Sequence, residues 1–159
     1  MAITNTDARR RAWLLRATGM ALAVALPVIG FAHGTAAHLE MWSDEGCDCC
    51  NQWAKHLQNY QFDVVQRKVD DVAAMRKQLG VPEKYAGCHV ARVGRYVIDG
   101  HVPALDILRL LREQPQAIGL AVPDMPAGSP GMERDGKKDP YQVLLIGLDA
   151  SATVFKSYF

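Results

Sequence analysis

Residues 45–57 read Glu-Gly-Cys-Asp-Cys-Cys-Asn-Gln-Trp-Ala-Lys-His-Leu. Cys47, Cys49 and Cys50 crowd together immediately ahead of a run in which Cys50, Trp53, Leu57 and Tyr60 recur at the spacing of one helix face. Thiols this dense can serve as a redox switch, as structural bridges or as a nest for a soft metal. A bridge between adjacent Cys49 and Cys50 needs a tight, strained ring, and Cys47 to Cys49 is little easier, so the cluster is poorly laid out for stapling. Cys47 and Cys50, by contrast, form a Cys-x-x-Cys pair with Cys49 inserted between them.

The segments on either side of the cluster give it a fold. Residues 36–43 (AAHLEMWS) are short and partly alternating, a first strand. Residues 62–69 (FDVVQRKV) alternate with β-branched side chains, a second strand. Residues 70–80 (DDVAAMRKQLG) carry acids in the first turn and a closing Gly80, a short helix. Residues 89–102 (HVARVGRYVIDGHV) make two strands about a Gly94-Arg95 turn. Residues 103–114 (PALDILRLLREQ) open on Pro103 and are apolar at 105, 107, 108, 110 and 111, a third helix. The predicted order is β-α-β-α-β-β-α, an α/β protein of thioredoxin-like type with the cysteines at the head of its first helix. Cys88 stands just before the third strand, which in that fold lies beside the first helix's start. Redox members keep a cis-proline there, whereas this chain has Gly87-Cys88-His89. Residues 121–140 are rich in Pro and Gly and read as a long loop, a kind that is functional or disordered inside a compact domain. Residues 141–159 supply a closing β-hairpin about Asp149-Ala150-Ser151.

The first 32 residues read as an export signal. Arg9, Arg10, Arg11 and Arg16 precede an apolar run over residues 17–32 that ends in small residues, with cleavage after Ala32 or Ala37. Arg10-Arg11-Ala12-Trp13-Leu14-Leu15 resembles a twin-arginine signal, and a three-arginine Sec signal fits as well. The run is shorter than the ~20 residues a span needs, so an uncleaved signal segment is the only membrane contact the sequence offers. One domain over residues 38–159 follows, in the oxidising periplasm where disulfides persist. From His33 onward 14 basic side chains face 16 acidic ones, which leaves no basic stripe for a nucleic acid.

Several motifs carry a family resemblance. They are Cys47-x-Cys49-Cys50 followed by Trp53, Gly87-Cys88-His89, residues 96–103 (YVIDGHVP), residues 119–123 (GLAVP), and Met125-Pro126 with residues 128–133 (GSPGME). Together they resemble the exported bacterial family of domain of unknown function 411, which includes CopG-type copper-resistance proteins. The resemblance covers essentially the whole chain after the signal. It implies a thioredoxin-like fold that uses its cysteines for copper. Members often carry Gly between the first two cysteines, where this chain has Asp48.

The residues suit that chemistry. Thiolates and thioethers are soft donors that select Cu(I) over harder divalent ions. A cysteine at a helix N-terminus meets unpaired N–H groups and the positive dipole end, which favour the thiolate. Adjacent helical residues project about 100° apart, so Cys49 and Cys50 are hard to aim at one terminally bound ion. Sulfurs bridging several ions relieve this, so more than one copper is expected. Cys88 is the fourth candidate ligand or resolving thiol. His89 is a candidate although strand alternation sends it away from Cys88, and His101, just before Pro103, is another. Met125 and Met132 lie in a loop able to fold over the site and offer thioethers. His56 reads as a surface residue, and His33 and His38 as polar residues of a flexible start.

Two functions of different class follow. The first is a periplasmic copper-binding protein that sequesters Cu(I) or passes it to or from a periplasmic donor or acceptor protein, in copper resistance or homeostasis, with redox coupling compatible. The second is a thiol–disulfide oxidoreductase. The missing cis-proline and the third clustered cysteine favour the first. A structural zinc module is a weaker third, because zinc accepts Cys and His equally well.

Overall fold

The computed structural model describes residues 36–134 and 136–159. The expected signal segment over residues 1–32 falls outside them, while Ala36 and Ala37, at the second expected cleavage position, fall within them. Strands β1 (His38–Ser43), β2 (Asp63–Lys68), β3 (His89–Val93) and β4 (Tyr96–Gly100) alternate with helices α1 (Asp48–Asn59), α2 (Val72–Gln78) and α3 (Ala104–Glu113) in the order expected from sequence. Strand β1 runs parallel to β2 and antiparallel to β3, and β3 pairs antiparallel with β4. The mixed α/β class is therefore as expected.

Beyond α3 the structure adds a strand the sequence does not announce. β5 (Ala117–Val122) lies parallel to β4 and antiparallel to β6 (Tyr141–Gly147), which pairs with β7 (Ala152–Tyr158). All seven strands form one sheet in the order β2-β1-β3-β4-β5-β6-β7. The closing hairpin is thus joined to the main sheet through β5, and Ala121 and Val122 belong to a strand and not to the loop. β5 is masked in sequence because Ala117, Gly119 and Ala121 lack the side chains that mark strands. Gly119 is required there, since a Cβ would collide with the carbonyl of Val97 on β4.

Period-two alternation sorts the sheet's side chains onto two faces. Leu39, Met41, Ala91, Val93, Tyr96 and Ile98 face α1 and α3, and pack with Trp53, Leu57, Ile107 and Leu110. Trp42, Val90 and Val97 point the other way and pack with Val72 of α2 and Val81. Asp71 caps α2, its carboxylate accepting from the Ala74 amide at 2.8 Å. The first turn of α3 is capped by a side chain from α1, because His56 Nε2 accepts from the Ala104 amide at 3.1 Å. His56 is therefore half-buried and structural, not the surface residue its position suggests.

Candidate metal centre

Register brings the candidate residues to one end of the sheet. Ser43, the last residue of β1, pairs with His89, the first of β3, so Cys88 lies beside the turn that leads into α1. Val90 pairs with Asp99, which sets the end of β4 and the following His101 next to Cys88. Gly100 pairs with Val122, so the loop after β5 starts from the same end. The carboxyl ends of parallel strands are where α/β sheets gather ligands.

The four cysteine sulfurs converge. Cys47, Cys49, Cys50 and Cys88 lie with their sulfurs within 4.8 Å of one another. Cys88 Sγ stands 3.6 Å from Cys50 Sγ and 3.8 Å from Cys49 Sγ, and Cys47 Sγ stands 3.5 Å from Cys49 Sγ. Cys47 and Cys50 are joined by a disulfide, and Cys49 and Cys88 are free. Cys47 is the N-cap of α1 and makes no side-chain cap bond to the helix's first-turn N–H groups. Asp48 occupies that first turn, where the helix dipole favours an acid.

Cys88 also belongs to a second group with His89 and His101, whose donor atoms again lie within 4.8 Å of one another. Alternation would part Cys88 from His89, but β3 begins at His89 and Cys88 lies outside the pleat. The His89 ring reaches back, with Nδ1 3.2 Å from Cys88 Sγ, while His101 Nε2 is 3.0 Å from the same sulfur. His101 Nδ1 is 2.8 Å from the Pro130 carbonyl, which only accepts, so the ring proton sits on Nδ1 and Nε2 is a lone pair aimed at Cys88. The Cys88 thiol then donates to His101 and accepts from His89 Nδ1. That leaves His89 Nε2 buried with no partner, as a second bare imidazole nitrogen.

The electrostatics keep this cluster neutral. Burial pushes the Cys88 thiol well above its ordinary range, and Cys49 beside it adds to the shift. Burial lowers His89 far below the usual imidazole value, helped by His101 and by the Arg76 guanidinium. Burial also lowers His101, against the Pro130 bond that holds its ring N–H. Neutral imidazoles and a thiol that loses its proton when a metal takes its place are what a soft-cation site requires.

The loop after β5 closes over α1. At Gly131, with φ of +85°, a Cβ would lie 2.7 Å from the Trp53 amide nitrogen and 2.8 Å from the Cys49 carbonyl oxygen. Glycine is thus what lets the loop touch the helix's first turn. Trp53 is buried against His89, ring centroids 4.3 Å apart, and its indole N–H donates to the Val102 carbonyl at 2.8 Å. Met132 is buried and Met125 exposed, and both line a hollow with Ala127, Arg134, Lys137 and Asp139. That hollow differs from the cleft reaching Cys47 and Cys88, which is walled by Asp44, Asp70, Asp71 and Arg76. His38 lies far from the cluster in sequence and pairs with exposed Asp63 at 2.8 Å. His33 falls outside the described residues.

Three neighbours of the site were not among the sequence candidates. Pro130 orients His101, and Arg76 and Asp99 form a buried pair at 2.7 Å beside Cys88. An acid at Asp99, amid the apolar run of β4, is a signal that the sequence carries. Arg76 gives none, because a basic residue in the last turn of a helix reads as solvent-facing.

Residues 85–132 match the family described as Protein of unknown function, DUF411. Two solved structures are similar to this chain. "Copper resistance protein copG- Form 2" is 39% identical over 78% of this chain and 99% of that one, with a TM-score of 0.75. "Copper resistance protein copG- Form 1" is 39% identical over 77% and 98%, with a TM-score of 0.74. Among curated proteins none matches. With this identity held across nearly the full length of those two structures, the chain belongs to the DUF411 family of CopG-type copper resistance proteins.

Proposed function

We propose that this protein is a periplasmic copper-binding protein that sequesters Cu(I) or exchanges it with a donor or acceptor protein, on a thioredoxin-like frame reached after removal of the signal over residues 1–32. One observation carries the reading: four cysteine sulfurs converge, and the imidazoles of His89 and His101 bring ring nitrogens to 3.2 and 3.0 Å from Cys88 Sγ. This donor set is soft, crowded and richer than one tetrahedral ion uses, which supports more than one Cu(I) with bridging sulfurs. The ligands are Cys47, Cys49, Cys50, Cys88, His89 and His101, while Met125 and Met132 line the separate hollow of the covering loop. Copper resistance named in the two similar structures supports the same cargo.

The bond between Cys47 and Cys50 ties up two of the sulfurs, so the disulfide form is the one that does not hold copper. A dithiol reductant opens it, its own sulfurs becoming the disulfide and Cys47 and Cys50 taking up the two hydrogens. Bound Cu(I) then protects the thiols, and oxidation releases metal. The disulfide also gives a thiol–disulfide oxidoreductase its one supporting observation, since Cys88 Sγ lies 3.6 Å from Cys50 Sγ.

Anaerobic titration of the reduced protein against a Cu(I) chelator decides between these. Tight Cu(I) binding in preference to zinc, with Cys88→Ser lowering stoichiometry or affinity while the fold survives, is the expected result. Weak Cu(I) binding alongside tight zinc binding, or efficient insulin reduction by the metal-free form, overturns it.

A further inference from the structure

Gly87, the residue before Cys88, is gripped on both of its backbone polar groups. Its amide donates to Asp99 Oδ1 at 2.6 Å, and its carbonyl accepts from Arg76 Nη2 at 2.7 Å. The same two side chains hold each other, with Arg76 Nε donating to Asp99 Oδ2 at 2.7 Å. The ring of three bonds uses both carboxylate oxygens and two arms of the guanidinium fork. Both side chains are buried, Arg76 at 5% and Asp99 at 0% exposure. Gly87 has no room for a side chain either, since a Cβ there would collide with the Gly100 Cα.

We propose that Arg76 and Asp99 are positioning residues for Cys88, acting through the Gly87 peptide to hold its sulfur between the cluster and His101. Downstream, His89 is fixed by its pairing with Ser43; upstream, the clamp fixes Gly87, so Cys88 is tethered on both sides. A buried ion pair is weak evidence for stability, because apolar residues of similar volume often serve as well. What an apolar pair cannot supply is directional bonding to a peptide group, and a forked guanidinium supplies it in a defined plane. Arg76 reaches this point from α2 on the far face of the sheet, where Val72 and Met75 already pack the helix. Its reach across to β4 and Gly87 therefore serves the end of the sheet that holds the sulfurs. The inference rests on the reading of Cys88 as a copper ligand.

Trypsin cuts after Lys84 and Arg92, so the peptide over residues 85–92 reports Cys88 with no other cysteine present. In the reduced, metal-free full chain, Arg76→Lys keeps the charge but loses the fork, and Asp99→Asn sets a donor against the guanidinium. Each should leave far-ultraviolet dichroism unchanged while iodoacetamide alkylates Cys88 about tenfold faster, the opening that loss of one charge-assisted hydrogen bond allows. Each should also surrender Cu(I) to a lower concentration of chelator. Glu83→Gln removes the exposed partner 3.7 Å from Arg76 that does not touch Gly87, and should match wild type. Folded variants with wild-type alkylation and copper retention overturn the proposal. Should neither variant fold, amide exchange at Gly87 in the wild type decides: protection equal to β3 supports the clamp, and exchange at loop rates overturns it. Unchanged copper binding in Cys88→Ser would instead strike the reading of the site, while the alkylation rates still test the clamp.

Discussion

The β6–β7 hairpin and the cysteine end of the sheet treat polar groups in opposite ways. At the hairpin, Tyr141 and Tyr158 stack with ring centroids 4.7 Å apart, and the Tyr158 hydroxyl donates to buried Asp106 at 2.7 Å. Arg109 lies 4.0 Å over the Phe155 ring and donates to the Phe155 carbonyl at 3.0 Å. Tyr158, Asp106 and Arg109 thus each have a partner within the chain there. At the other end a sulfur serves two imidazoles, and His89 Nε2 is the one buried side-chain nitrogen or oxygen left without a partner among the described residues. Among the described residues the buried side-chain polar groups are otherwise satisfied, and the one exception adjoins the cysteine cluster.

Trp53 is where the two regimes meet, being core on one side and a wall of the site on the other, and its removal is the largest change expected. Trp53→Ala should cost about 3–5 kcal/mol in chemical denaturation, as for other large buried aromatics. Trp53→Phe keeps most of the volume but strands the Val102 carbonyl, for about 1–3 kcal/mol. Equal losses in the two variants would mean that the hydrogen bond, and not the packing, ties α1 to the end of β4. The hairpin should respond next: Tyr158→Phe leaves the Asp106 carboxylate short of its donor, at about 1–3 kcal/mol, with copper binding untouched. A loss of copper binding in that variant would blur the contrast between the two ends.

Acid should separate them further. His89 and His101 titrate below the ordinary 6.5 because burial disfavours their charged forms. In the window beneath 6.5 the unfolded chain therefore binds more protons than the native one. Stability is fully present above that value and falls as pH drops through it, by up to about 1.4 kcal/mol per pH unit for each histidine. Asp99 and Asp106 move the other way: burial raises them above 3.8, so their contribution is present at lower pH and lost as pH rises through their raised values. The His89 share is read from the difference between wild type and a His89→Phe variant, which leaves His101 and both carboxyls in place. A melting temperature that changes with pH identically in the two proteins would remove His89 from the account.

What the sequence made legible follows the same division. Elements up to α3 were readable because their apolar side chains repeat at helix or strand periods, and because Gly80 and Gly94 mark the stops. β5 was not, since Ala117, Gly119 and Ala121 stand between Ile118, Leu120 and Val122 and pack by close backbone approach, leaving few of the bulky side chains that mark a strand. At the site, the cysteines announced themselves by density. His89 was legible only as a neighbour of Cys88, because where β3 begins decides whether the two side chains part or meet. Asp99 and Arg76 come together across 23 positions and two faces of the sheet, a pairing that no local pattern encodes.

The smallest stability effect should come from the residue on which the contrast depends most. Replacing His89 by Phe keeps a ring against Trp53 and removes the orphaned nitrogen, whose burial without a partner carries a penalty of about 1–3 kcal/mol. Against that gain stand the lost contact between Nδ1 and Cys88 Sγ and the strain of a slightly larger ring in a packed site. These effects are of similar size and opposite sign, so the metal-free variant should lie within about 1 kcal/mol of wild type. Copper retention against a chelator should nevertheless drop, because an imidazole beside Cys88 has been taken from the cluster. Set beside Tyr158→Phe, the two variants should cross: one loses stability and keeps copper, the other keeps stability and loses copper. Chemical denaturation and Cu(I) competition on the same four samples, each variant with and without metal, read both axes. If His89→Phe proves the more destabilising of the two and holds copper as well as wild type, then His89 is an ordinary core residue and the orphaned nitrogen marks nothing.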